Sequence, residues 1–327
     1  MNFENSNKEL VDRIFNHPNI KAARSSSRTY ASTLRRVGNE FAGGFKADLA
    51  WIKQPLLLAK IKKHSGSLNV KRNLINAVII AFKLEPNDKI SAKFHKYLLE
   101  LNKLVDEKNK SGVLSEKMQS KMIPWDQVVK LRKLLGKKLR LSQAMGRKKI
   151  GSRDIKVINE YVLLSCYSMT PPVRLDWGTV TYHNKKGFAN IKQKTGNYLV
   201  LKKSSVTVYW NEYKTARTHG SVSTELPKDL SRILRRHCKF MKTHFPDNAY
   251  LFLNARFEPM TRQNLSKLLE NLFYRYFKKR ISVSSLRRMY LSSKYSHKVI
   301  QEAREDARKM MHSVSVAQQN YVKKIDE

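Results

Sequence analysis

The run Ser205-Val206-Thr207-Val208-Tyr209-Trp210 decides the fold class, because it strings β-branched and aromatic residues together in a chain whose other apolar residues recur at helical spacing. Thr179-Val180-Thr181-Tyr182 repeats the pattern upstream, and Gly187, Gly196 and Gly220 punctuate the stretch from Thr179 to Leu226. These features predict a small antiparallel sheet. Helical patterns hold on both sides of it. Downstream they resume at Leu230, at Thr261 with Leu265, Leu268, Leu269 and Leu272, around Arg287, and from Ser296 through Tyr321. Upstream, a helix opening near Ser152 presents Ile155, Ile158, Val162 and Leu163 until Pro171-Pro172 stops it, and another opens at Pro124-Trp125-Asp126.

Further upstream, Tyr30, Leu34, Val37 and Phe41 follow the capping run Ser25-Ser26-Ser27. Val70, Leu74, Ala77, Val78, Ala81 and Phe82 form a second stripe, started by Ser67 to Asn69 and stopped by Pro86. Phe94, Tyr97, Leu98, Leu101 and Val105 form a third, and a weaker helix spans Ile52 to Ile61. The charged stretch Asp106 to Lys121 lacks strong periodicity and reads as a linker. The expected fold is therefore mainly α with a small antiparallel β-sheet, an α+β chain. Its expected domains are a helical one over residues 1–121, with the linker, and a second over 122–327. No internal repeat is visible.

The chain has 327 residues, with 65 Lys+Arg against 26 Asp+Glu and a formal charge of +39. Such an excess speaks of partners and not of fold, and it points to nucleic acid. Hydrophobic residues make up 41%, interleaved with the cations, so the chain reads as a folded basic protein and not as a disordered basic tail. Cys166 and Cys238 are too few for a disulfide framework, and neither they nor the nine His show ligand spacing, so no metal and no cofactor are expected. The start of the chain lacks a signal-peptide pattern and no apolar run approaches a membrane span. An intracellular location is expected, in cytoplasm or nucleus, and no membrane partner.

Two arginines stand in otherwise apolar or small-residue stretches: Arg174 in Thr170-Pro171-Pro172-Val173-Arg174-Leu175-Asp176-Trp177, and Arg287 in Ser284-Ser285-Leu286-Arg287-Arg288-Met289-Tyr290. Met311-His312-Ser313-Val314-Ser315-Val316-Ala317-Gln318-Gln319-Asn320-Tyr321 follows near the C-terminus. Alone, Tyr321 would be an apolar-face anchor with Val314 and Ala317, His312 a core or surface histidine, and each Arg half of an ion pair. Acidic residues are scarce, so many arginines must lack acidic partners, and surplus cations favour phosphate.

The order Arg, Leu-Arg, His and a late Tyr resembles the tyrosine recombinase (phage integrase) family, and the Pro-Pro-Val-Arg-Leu-Asp-Trp form is similar to integrase-like proteins of large DNA viruses and their satellite elements. Ala249-Tyr250-Leu251-Phe252-Leu253-Asn254, followed by Pro259-Met260-Thr261, is similar to the family's segment before its second Arg box. The resemblance covers most of the chain. It implies a helical core-binding domain that clamps duplex DNA, a catalytic domain, and strand cleavage and rejoining through a 3′-phosphotyrosine ester by four protomers on two sites. If the chain is viral, the compartment is that of the host cell.

The resemblance also implies roles. Arg174 and Arg287 hold the scissile phosphate, Tyr321 attacks, His312 positions the phosphate or the Tyr, and a hairpin Lys protonates the leaving 5′ oxygen. Planar guanidinium forks with pH-independent charge suit the non-bridging oxygens. Tyr213-Lys214-Thr215-Ala216-Arg217-Thr218-His219-Gly220 makes Lys214 the candidate acid, in competition with Lys192, Lys194, Lys202 and Lys203, and Arg217 a grip on the neighbouring phosphate. Ser284 replaces the family's His three before the second Arg, and donates at most a single hydrogen bond. Arg288 stands where many members have a second His. Asp176 stands two after Arg174, where the family's acidic residue is three after.

Arg28, Lys71, Arg72, Lys148 and Lys149 are candidate duplex contacts. The basic run from Gly136-Lys137-Lys138-Leu139-Arg140 to Gly146-Arg147-Lys148-Lys149 is either a solvated face, a backbone contact or a nuclear-targeting patch. Two other readings remain beside the recombinase: a type IB-like DNA topoisomerase with the same chemistry, and a non-catalytic DNA-binding protein on a decayed recombinase fold.

Overall fold

The computed structural model describes residues 3–311, and the chain divides into two compact units, Met1–Val113 and Leu114–Glu327. The division falls inside the charged stretch expected to be a linker. His312 and Tyr321 lie outside the described residues.

The first unit holds α1 (Phe3–Asn16), α2 (Arg24–Phe41), α3 (Leu57–Lys63), α4 (Leu68–Leu84) and α5 (Asp88–Lys110). In α2 the buried Ala31, Leu34, Val37, Gly38 and Phe41 recur every three or four residues, as one face of a helix must. α4 buries Leu74, Ile75, Ala77, Val78, Ile79, Ala81 and Phe82, which is more than one stripe, and it packs against the other four helices. Its start is set by Ser67, whose Oγ accepts from the Val70 amide at 3.4 Å, and α5 is capped by Asn87 Oδ1 on the Ile90 amide at 3.0 Å.

Two expectations change here. α5 continues through Asp106 to Lys110, because buried Val105 anchors the turn while the charged residues after it stay exposed. The helix expected over Ile52–Ile61 is instead a 3-10 turn, Ala50–Lys53, followed by α3. Pro55 separates them, since it lacks an N–H and drives Gln54 to an extended ψ of 129°.

The second unit opens with one-turn α6 (Glu116–Gln119), then α7 (Trp125–Ser142) and α8 (Ser152–Met169). The sheet region follows as β1 (Val180–Asn184), α9 (Lys185–Ala189), β2 (Asn197–Leu201), β3 (Val206–Trp210), α10 (Ala216–His219) and β4 (Val222–Glu225). α11 (Lys228–His244), α12 (Arg262–Phe277), α13 (Val283–Lys294) and α14 (His297–Lys309) complete it. The fold is mainly helical with one small sheet, as the periodicities indicate. The sheet is mixed and not wholly antiparallel: its order is β1-β2-β3-β4, with β1 and β2 parallel and the other pairs antiparallel. α9, capped by Asn184 Oδ1 on the Gly187 amide at 2.6 Å, supplies the short crossover that a parallel pair requires. β2 is buried along nearly its whole length, whereas all four residues of β4 are exposed at the edge.

α8 is the central element of this unit and buries residues on every side, including Ile158, Val162, Leu163 and Tyr167. It also buries Glu160, which accepts two hydrogen bonds from Arg275 of α12, at 2.8 and 3.0 Å. Glu160 is 4% exposed and Arg275 44%, so removing the Arg strands a buried carboxylate that water partly reaches. Arg275→Ala should cost about 2 kcal/mol, read as a lower urea midpoint at unchanged slope. A midpoint within error of the parent would show that the pair contributes nothing.

Among the described residues, no helix is long and apolar enough to cross a membrane.

Candidate functional site

The site begins where α8 ends. Thr170 Oγ1 donates to the Cys166 carbonyl at 2.7 Å, Pro171-Pro172 prevents continuation, and the chain turns into a 3-10 helix, Leu175–Thr179, with Arg174 as its N-cap. Tyr167 Oη donates to the Arg174 carbonyl at 2.5 Å and so fixes the backbone under an exposed guanidinium. Tyr167 is itself fully buried, and burial pushes its pKa well above the usual tyrosine value, so it serves as a fixed hydrogen-bond donor.

Trp177, 1% exposed, meets Trp210 edge to face at 5.0 Å and 85°. This contact pins the Arg174 turn to the end of β3, from which the chain departs toward β4. Gly178 lets the same turn press onto the start of α12: a Cβ there would meet Leu265 at 3.3 Å and the Met260 carbonyl at 3.5 Å. The approach brings Arg262 to Asp176, Nη2 to Oδ1, at 3.1 Å.

Arg287 comes from α13, whose register is held by buried Val283, Leu286 and Met289 and by the Ser282 cap. The structure brings Arg174, Asp176 and Arg287 onto the wall of one open cavity of about 470 Å³, which Tyr213, Thr215 and His219 from the β3–β4 connection also line. Asp176 is 6% exposed, and burial raises its pKa. Arg262, then Arg174 and Arg287, act in the opposite sense by favouring the carboxylate. One acidic and two basic side chains on the wall leave the cavity cationic. Two planar forks lining one cavity suit an oxyanion with several equivalent oxygens, such as phosphate.

The other expected residues are placed as follows. Lys214 is exposed and does not line the cavity, although its neighbours Tyr213 and Thr215 do, and the loop is closed by Tyr213 Oη donating to the Gly220 carbonyl at 2.8 Å. Lys192, Lys194, Lys202 and Lys203 also lie off the cavity wall, and Lys194 Nζ sits 4.8 Å over the Phe188 ring. Arg217 is exposed on α10, Ser284 is exposed on the first turn of α13, and Arg288 is half-buried beside Arg287. Arg28 is exposed on α2, while Lys71 and Arg72 are half-buried on the first turns of α4, with Lys71 Nζ donating to the Lys62 carbonyl at 2.7 Å. Lys148 and Lys149 are exposed between α7 and α8.

Three residues escape sequence reasoning. Arg262 reaches Asp176 across 86 positions, and no spacing signals such a pair. Tyr167 looks like any core aromatic of α8. His219 carries no signal in the sequence beyond its residue type.

Cys166 and Cys238 are free and buried, and burial pushes both thiols up, out of nucleophilic range. No cluster of three metal-ligating side chains occurs among the described residues. No family model matches the chain and no curated protein matches it, so the site stands on its own geometry.

Proposed function

We propose that the protein is a DNA strand transferase of the tyrosine-recombinase type, which cleaves and rejoins duplex DNA through a 3′-phosphotyrosyl ester at Tyr321. The observation that carries the reading is the meeting of Arg174 and Arg287, from stretches more than about a hundred residues apart, on one cationic cavity wall. In a chain of charge +39 the polyanion that fits this wall is a nucleic-acid backbone.

In this reading the two guanidiniums hold the non-bridging oxygens of the scissile phosphate. The Tyr321 oxygen bonds to phosphorus as the bond from phosphorus to the 5′ oxygen breaks. The phenolic proton passes toward His312, and the leaving oxygen takes a proton from Lys214. Lys214 sits on an exposed loop whose neighbours Tyr213 and Thr215 line the same cavity as the arginines, and in this reading a loop movement delivers its ammonium. Rejoining reverses the step: a 5′ hydroxyl attacks the phosphotyrosine and Tyr321 leaves. The ester conserves the phosphodiester's energy, so rejoining needs no ATP. Exchange between two sites requires four protomers on two duplexes.

The test is trapping on a nicked suicide DNA library, with denaturing detection of the protein–DNA adduct and sequencing of what is trapped. An adduct formed by the parent chain and lost in Tyr321→Phe is expected. Tight binding without adduct, under conditions where an active enzyme of this type is trapped, would replace the proposal with a binding-only protein, the reading that Ser284 on the α13 surface favours. Supercoil relaxation without paired-site complexes would instead favour the topoisomerase.

A further inference from the structure

A second basic site lies outside the Arg174–Arg287 cavity and shares no lining residue with it. Arg132, Lys133, Lys137 and Arg140 of α7 face Arg232 and Arg236 of α11 across a cleft of about 680 Å³ whose wall carries no carboxylate. We infer that this cleft is a second phosphate-backbone site, gripping duplex DNA at a place separate from the phosphate that reacts. The inference rests on the reading that DNA is the partner.

The sequence builds the cleft from helical periodicity. Lys133 and Lys137 are four apart on α7, as are Arg232 and Arg236 on α11, and Arg132 and Arg140 are eight apart. At 1.5 Å per residue, four positions separate cations by about 6 Å along each helix, comparable to the step between successive phosphates of one strand. Tyr161 of α8 forms the floor. Gly136, which costs about 1 kcal/mol in a helix interior, stands at the contact: a Cβ there would fall 2.8 Å from the Tyr161 ring. The glycine lets α7 settle onto that ring and keeps its cations at the cleft mouth.

Arg132 is only weakly held by groups of the protein itself. Its Nη1 donates to the Met169 sulfur at 3.1 Å, a weak acceptor, and its Nε is buried without any hydrogen-bond partner. The carboxylate nearby is Asp229, which lines the adjoining cavity and stands 3.4 Å from Arg232 in an exposed pair. The apolar side chains on the wall are Leu139 and Tyr161, and the rows of cations around them suit a strand of phosphates.

The face also differs from that of the reacting site. Met169 lies about 80° around α8 from Tyr161, on the cleft side. Tyr167, which holds Arg174, lies about 120° away in the other direction. Because the cleft and the reacting cavity share no lining residue, DNA held in the cleft is inferred to be a stretch distinct from the scissile phosphate.

The test compares the full chain with the triple variant Lys137→Gln, Arg140→Gln, Arg236→Gln, all exposed side chains. Binding to a long duplex is measured by fluorescence anisotropy across a salt series. The slope of log affinity against log salt should shallow by about 2.7, three phosphate contacts at about 0.9 each, with adduct formation at saturating DNA retained. A control triple of exposed lysines in the second unit that line neither cavity, Lys117→Gln, Lys267→Gln and Lys278→Gln, should leave the slope nearly unchanged. An unchanged slope in the cleft variant, or an equal change in the control, would overturn the inference while leaving the strand-transferase reading in place. Loss of binding to a polyglutamate probe with an unchanged DNA slope would assign the cleft to an acidic protein. Absence of DNA binding by the parent chain would remove both readings together.

Discussion

Arg287→Ala is expected to retain DNA binding and lose covalent adduct formation by about 10³-fold, and Arg174→Ala to behave alike. The two guanidiniums line one cavity, and in the proposed reading each faces the same phosphate, so removing one leaves developing charge without its partner. Binding survives because the rest of a +39 chain still neutralises the backbone. Arg287→Lys keeps the charge and loses the fork, and its loss should be smaller, about 10- to 10²-fold. The double Ala variant should fall far short of the product of the single losses, because both act on one transition state. Arg287 is half-buried between apolar neighbours, so a thermal melt must accompany the assay. Adduct at the parent level in both folded single variants would sink the assignment of the cavity as the reacting site.

The second large effect concerns stability and acid. His237 of α11 is fully buried and hydrogen-bonded through Nε2 to the Leu251 carbonyl at 2.7 Å, with Phe252 packed against the ring and Nδ1 left without a partner. Burial pushes its pKa down from 6.5 to about 4. The folded state therefore holds it neutral while the unfolded chain protonates it. Its contribution is fully present above about pH 6.5 and is lost as pH falls toward about 4, a difference of about 3 kcal/mol. Urea melts from pH 7.5 to 4 should show this loss on top of the acid sensitivity of other groups. His237→Gln, which keeps a donor for Leu251 and does not titrate, should flatten the curve by that amount. Parallel curves for parent and variant would refute it.

The helices were legible because their causes are local. Ser67 caps α4, Pro86 and Pro171-Pro172 are stops, and the stripes of α2, α4 and α5 repeat at the helical period, whereas Ser25-Ser26-Ser27, expected to cap α2, lie inside it behind Ala23. The strands β1 and β3 were legible for the same reason, but β2 and the pairing were not. Parallel alignment of β1 with β2 depends on how the short α9 crossover folds, and alternation reads the same for either direction. The Ile52–Ile61 segment splits at Pro55, which breaks the helix despite the apolar pattern on either side.

The site divides along the same line. Arg174, Arg287 and Asp176 drew attention as charged groups in unusual company, and that they share a cavity is a tertiary fact absent from either stretch. Arg262 carried no local signal at all. In the loop between β3 and β4, composition could nominate Lys214 but could not say that Tyr213, Thr215 and His219 would face inward while it faced out.

The edge-to-face contact of Trp177 and Trp210 has a further consequence. Two indoles at this distance couple their electronic transitions, so the pair gives a circular-dichroism couplet that depends on their mutual orientation. Because one indole belongs to the Arg174 turn and the other closes β3, any movement of that turn changes the couplet without an attached dye. The protein thus carries a built-in optical gauge beside its candidate site.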